Sequence, residues 1–237
     1  MKLRDQAYES FRQRLLSLDL RPGQFVSQRE LVAITGMPLG AIRELVPRLE
    51  ADGLIVTVPQ RGMQIANVDV KLVRNAFQLR AILEREAIAQ FAARAADAEV
   101  ERLVAAHGAI AAEAKRGLSE ALLERAQAVD WDFHDTLIDA LGNDLVSGVY
   151  RVNSIKIRLI RLERVLLSPE SLLPALDEHA EILAAIRRRD ASGAVAALDR
   201  HLTSARNRAM GISLAEPAPP TRAPQARIPA RRESRSR

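Results

Sequence analysis

The β signal of this chain is confined to one patch. Leu54-Ile55-Val56-Thr57-Val58 is β-branched, Pro59-Gln60-Arg61-Gly62 reads as a turn, and Met63 to Ala66 reads as a short return strand. A lone hairpin cannot hold a core by itself. Helices must therefore supply nearly all the burial, and the rest of the sequence repeats its apolar residues at helical spacing. The composition suits this: 48% of residues are hydrophobic but only 3% are aromatic, so the core is built from Leu, Ile, Val and Ala. The absence of cysteine excludes disulfides and thiolate metal sites and fits a cytoplasmic protein. No apolar run is long enough to span a bilayer. The N-terminal MKLRDQAYESFRQRLL is charged and amphipathic, unlike a secretory signal.

Three regions are expected: 1–68, 69–214 and 215–237. The last, AEPAPPTRAPQARIPARRESRSR, is a Pro- and Arg-rich tail expected to be disordered, since it has too little apolar surface to offset chain entropy. It also holds most of the net charge of +5, with six arginines against two glutamates, so the basic balance alone says little about DNA.

In the first region, Ala7, Tyr8, Phe11, Leu15 and Leu18 mark a helix over Asp5 to Leu18, ended by Arg21-Pro22-Gly23. Ser27-Gln28-Arg29-Glu30 is a capping box that starts a second helix, about Gln28 to Thr35, stopped by Gly36. A third helix begins near Pro38 and runs to Asp52, with Gly53 as its stop and Pro47 inside it. Two helices joined by Gly36-Met37 and followed by a hairpin make a winged helix-turn-helix, or else a small α+β domain with no DNA role.

The string PGQFVSQRELVAITGMP…IRELVPRLEADGLIVTVPQRGMQI resembles the winged helix of GntR-type transcription regulators. The resemblance implies that Arg29 meets the DNA backbone or a base edge and that Arg43 enters the major groove, where its planar fork suits guanine O6 and N7. It implies that Arg61 and Gly62 form the wing tip, the arginine in the minor groove and the glycine allowing close backbone approach. Taken singly, Arg29 and Arg43 could equally pair with Glu30 and Glu44. The family's usual Ser/Thr-Arg-Thr-Pro at the start of the third helix is here Pro38-Leu39-Gly40-Ala41, which leaves Leu39 or Ala41 to touch a thymine methyl.

Residues 69–214 predict six helices, breaking near Ala95, Gly117, Gly142, Leu167 and Ser192-Gly193. They form an all-α antiparallel bundle, so the chain as a whole is mainly α. Asp130 and His134 lie one turn apart on one helix face. That spacing fits a surface ion pair, a buried hydrogen bond or half of a metal site. Of the four histidines, His134, His179 and His201 sit on apolar faces of three different helices, and imidazoles with a carboxylate suit Zn²⁺, Ni²⁺ or Mn²⁺.

LRAILEREAIAQFAARA, DWDFH…IDALGN and EHAEILAAIRRRD…HL are similar to the FCD effector domain of the FadR-like branch of GntR regulators. The resemblance implies one divalent metal held by Asp130, His134, His179 and His201, a small carboxylate effector, a homodimer, and operator DNA as partner. It makes Arg80 the effector-binding candidate, with an ion pair to Glu84 as the alternative. His107 matches no family position and reads as surface, and Arg158, Arg161 and Arg164 read as a solvated face. The expected function is a metal-dependent, ligand-responsive transcription regulator, a repressor by analogy, and not an enzyme. A single-metal hydrolase with Glu178 or Asp135 as base, or a DNA-binding protein with a structural metal, are the alternatives. A di-metal oxygenase is excluded, because no histidine has a glutamate three residues before it.

Overall fold

In a computed structural model, residues 2–164 and 169–211 are described. The tail 215–237 and the expected break at Leu167 lie outside them. The elements run α1 (Leu3–Leu16), β1 (Phe25–Val26), α2 (Gln28–Thr35), α3 (Leu39–Ala51), β2 (Ile55–Val58) and β3 (Gly62–Ile65). The bundle follows with α4 (Val70–Arg94), α5 (Asp97–Ala114), α6 (Glu120–Asp139), α7 (Asp144–Arg164), α8 (Pro169–Arg187) and α9 (Ala191–Ala209).

The helix-turn-helix is fixed by local chemistry. Ser27 Oγ accepts the Glu30 amide at 3.2 Å, and Glu30 Oε2 accepts the Ser27 amide at 2.7 Å, so both members of the capping box are engaged. Gly36 ends α2 in the left-handed region, at φ 69°. α3 runs on through Pro47, and the structure offers no further account of that residue.

The wing is larger than the expected hairpin. Phe25 and Val26 add a third strand, giving the order β1-β3-β2, all antiparallel, with Phe25 opposite Gln64 and Val58 opposite Gly62. Two residues are too few to show alternation, so this strand left no periodic signal.

In the bundle, Asp69 Oδ1 caps α4 through the Leu72 amide at 2.7 Å. The break before α9 falls earlier than Ser192-Gly193. Arg189 turns the chain at φ 59°, and Asp190 Oδ1 accepts the Gly193 amide at 2.8 Å, so Gly193 lies inside the first turn of α9 rather than between helices. One buried cluster joins Ile88 and Phe91 of α4, Phe133 of α6, Ile182 of α8 and Leu198 of α9. Burying each such side chain contributes about 1.5–3 kcal/mol. A second cluster crosses between the two parts of the fold: Phe11, Leu15, Leu45 and Ile55 of the winged helix share it with Phe77 of α4 and Ile155, Ile157 and Ile160 of α7.

Candidate metal centre

Asp130 and His134 of α6 meet His179 of α8 and His201 of α9 at the centre of the bundle. Each offers one ligand atom, and these atoms all lie within 4.8 Å of one another. The three rings are buried, and each is held from behind. His134 Nδ1 lies 2.9 Å from Glu84 Oε2, and His201 Nδ1 lies 2.8 Å from Glu178 Oε2. A carboxylate only accepts, so in the neutral rings the proton sits on Nδ1 and the Nε2 lone pair points inward. His134 Nε2 is buried without a hydrogen-bond partner, and His179 Nε2 lies 3.2 Å from His201 Nε2. Acceptors converging on one point with no donor between them are the arrangement a cation satisfies, and oriented imidazoles with one carboxylate suit a divalent metal.

Burial keeps the His134 and His179 rings neutral, as ligation requires. It depresses His134 to about 4, with the Arg80 charge pushing the same way, and holds His179 well below the usual imidazole range. Burial would raise Asp130, but Arg161 and then His179 outweigh it and hold the carboxyl well below its usual range.

Each carboxylate of the cluster has its own arginine. Arg161 pairs with Asp130, Arg208 holds both oxygens of Glu178 at 3.1 Å, and Arg80 Nε donates to Glu84 Oε1 at 2.7 Å. Tyr150 also donates to Glu84 Oε1, at 2.9 Å. Arg80 thus forms the Glu84 pair, buried to 5% and 0% exposure, and still lines the cavity beside the cluster. That cavity measures about 50 Å³; Arg80, Arg161 and Arg208 face it together with apolar Phe77, Leu172 and Leu176.

Two expectations are corrected. His107 is not at the surface: it is 4% exposed, with Nε2 3.0 Å from His179 Nδ1. Its own face, Val100, Leu103, His107 and Ile110, has the core-like spacing seen around the other histidines, and that was the available signal. Arg158 and Arg161 are not a solvated face. Arg161 serves Asp130, and Arg158 stacks over the Trp131 ring at 4.1 Å and pairs with Asp135. Glu178 and Asp135, the bases a hydrolase would need, are both engaged, the latter by Arg151 and Arg158. The Arg164 side chain lies outside the described residues.

On the winged helix, Arg29 and Arg43 are exposed, and neither forms an ion pair among the described residues. Glu30, the expected partner of Arg29, is occupied by its own cap. Leu39 is 38% exposed, but Ala41 is 5% exposed and faces the core, so only Leu39 remains available to a base. Arg61 lies over the Phe25 ring at 4.2 Å. Gly62 has φ 93°, and a Cβ there would lie 3.1 Å from the Val26 carbonyl, so the sheet itself demands glycine.

Comparison with known proteins agrees with this architecture. The family described as bacterial regulatory proteins, gntR family, matches residues 3–65, and the FCD domain matches residues 75–204. The HTH-type transcriptional repressor GlaR of Escherichia coli K12 is 27% identical over 188 residues, covering 78% of this chain and 85% of that protein. An HTH-type transcriptional regulator of Streptomyces ambofaciens is 29% identical over 197 residues, covering 82% and 80%. Among solved structures, E. coli McbR/YncC superposes with a TM-score of 0.67 at 16% identity, covering 86% of this chain and 95% of that one. A regulator from Rhodococcus sp. RHA1 gives 0.67 at 17% identity, covering 88% and 99%. The relatives are transcription regulators, not enzymes, and among the described residues no helix is long and apolar enough to cross a membrane. With a GntR winged helix in front of an FCD domain, the chain belongs to the GntR family of bacterial transcription regulators.

Proposed function

We propose that this chain is a cytoplasmic, metal-dependent repressor whose DNA affinity responds to a small organic acid. Residues 1–68 read DNA and residues 69–214 sense the acid and dimerise. Asp130, His134, His179 and His201 hold one Zn²⁺, Ni²⁺ or Mn²⁺. The observation that carries the reading is the convergence of bare ring nitrogens and one carboxylate beside a cavity lined by arginines.

Charge explains the acid. Asp130, Glu84 and Glu178 are each matched by an arginine, so the buried cluster is neutral with its histidines uncharged. A bound dication adds an uncompensated double positive charge and a Lewis-acidic point to which a carboxylate can bind. An anion relieves that charge, and the apolar cavity wall leaves room for a short carbon body. Arg80 commits its Nε to Glu84 and lines the cavity, which leaves its two Nη groups to pair with the effector's carboxylate. At the other end, Arg43 reads the major groove, Arg29 contacts the backbone or a base edge, and Arg61 with Gly62 forms the wing tip. A homodimer places two such heads on a pseudo-palindromic operator.

The test starts from operators mapped by chromatin immunoprecipitation in the native host. Binding of full-length chain to that DNA is measured by fluorescence anisotropy, before and after chelation and across a panel of carboxylic acids. At least one acid is expected to change the affinity of the metal-loaded chain about 5- to 150-fold, the usual range of coupling between sites. If no carboxylate changes its melting temperature or DNA affinity, the sensor reading is wrong and the metal is structural.

A further inference from the structure

The backing of the three ligand histidines is uneven. His134 and His201 are held by carboxylates, whereas His179 meets the fourth histidine, His107, with Nδ1 3.0 Å from its Nε2. His107 Nδ1 in turn lies 2.8 Å from the Leu103 carbonyl oxygen, four residues back on α5. A carbonyl only accepts, so the His107 proton is on Nδ1. In a neutral ring Nε2 is then a bare acceptor. The proton between the two rings must belong to His179 Nδ1, which leaves the His179 Nε2 lone pair facing Asp130 and His201. The aromatic packing fixes the relay in place: Phe133 sits edge-on to His107 at 5.5 Å, and the His107 and His179 rings meet at 68°.

We infer that His107 is a positioning residue for the metal: a neutral imidazole, pinned by a backbone carbonyl, that selects the ligating tautomer of His179. This rests on the metal reading above. It also assigns a cost. Oriented outer partners of this kind are worth about 10- to 100-fold in metal affinity. An imidazole adds no charge to the cluster, so it orients His179 without disturbing the match of carboxylates to arginines.

The first test needs no metal. Full-length chain labelled with ¹⁵N-histidine and stripped of metal is examined by long-range proton–nitrogen correlation, which distinguishes the two tautomers of each ring. His179 is expected protonated at Nδ1, with Nε2 bare. In His107→Leu it is expected to revert to the Nε2–H form that dominates in free side chains. Zn²⁺ alone is then titrated in. His107→Leu is expected to bind about 10- to 100-fold more weakly, and His107→Gln, whose amide oxygen can accept from His179, to recover most of the loss. An Nε2–H tautomer of His179 in the wild-type chain would overturn the inference. So would a His107→Leu variant that binds Zn²⁺ as tightly as wild type while His134→Ala does not. A wild-type chain that takes up no Zn²⁺ overturns the metal reading and this inference with it.

Discussion

Glu84→Gln is the substitution that bears most directly on how the centre is held together. Glu84 is 0% exposed, and it serves Arg80 at 2.7 Å, His134 at 2.9 Å and Tyr150 at 2.9 Å. Glutamine keeps the volume, but its one oxygen can stand only in the place of Oε2, accepting from His134, or of Oε1, accepting from Tyr150; in the first placement Tyr150 must turn its hydroxyl to accept. The substitution removes the charge, and in that first placement the amide hydrogens face the Arg80 guanidinium. Two unit charges about 4 Å apart at an effective dielectric near 20 interact by about 4 kcal/mol. Removing one partner of a buried pair typically costs about 3–5 kcal/mol, so the two routes agree. Against a domain stability of about 5–15 kcal/mol the loss is large. Urea unfolding of the metal-free chain at pH 7, followed by circular dichroism, measures it as a shift in midpoint at constant slope. Adding Arg80→Met to Glu84→Gln removes the stranded cation, so the double variant is expected to be more stable than Glu84→Gln alone. A loss below about 1 kcal/mol in Glu84→Gln, or strict additivity of the two changes, would refute the argument that this pair is a coupled buried unit.

Other outcomes follow from the same geometry. Arg43→Ala should weaken operator binding by about 1–3 kcal/mol and relax base preference. Arg43→Lys should not restore it, because lysine lacks the planar fork; an equal loss on random DNA in the same anisotropy assay would contradict base reading. Gly62→Ala should cost about 1–3 kcal/mol, since it forces a side chain to φ 93° with its Cβ 3.1 Å from the Val26 carbonyl; an unchanged melting temperature would remove that reason for glycine. The metal-free chain should lose stability on acidification. The folded His134 titrates near 4 and the unfolded ring near 6.5, so between those values the unfolded state binds more protons. The contribution is full above about 6.5 and gone below about 4. Burial pushes Glu84 up, but Arg80 and His134 bring it to about 2, so its loss is added only below about pH 4.5. Urea midpoints at pH 7.5 and 5, in the wild type and in His134→Gln, check the sign: the variant should show the smaller change.

The sequence was legible wherever a local rule governs the backbone. Ser27 and Glu30, Gly36, Gly53 and Asp69 each satisfy or end a helix within a few residues of themselves, and the structure uses each of them so. The metal-site candidates were legible because three histidines on apolar faces are costly unless they have partners. Those partners were harder to see. The sequence offers Glu84 as a partner of Arg80, a pair the structure contains, and Glu178 only as a hydrolase base; it takes the packing of α4 on α6, and of α8 on α9, to bring them behind the rings. His107 belongs to no family motif, and its only mark in the sequence is its own apolar helix face. The β1 strand was invisible because it exists only by pairing with β3, some 40 residues away.

The apolar cluster shared between the winged helix and α7 limits how this protein can be recombined. A cut at the connection near residue 68, where the pattern of the sequence changes, would strip Ile155, Ile157 and Ile160 from Phe11 and Leu45 and leave both fragments with a wet, greasy scar. Modular grafting of this DNA reader onto a foreign sensor therefore calls for transplanting the docking face of α7 along with it. A chimera that ignores that face should precipitate even though each half kept its own hydrogen bonds.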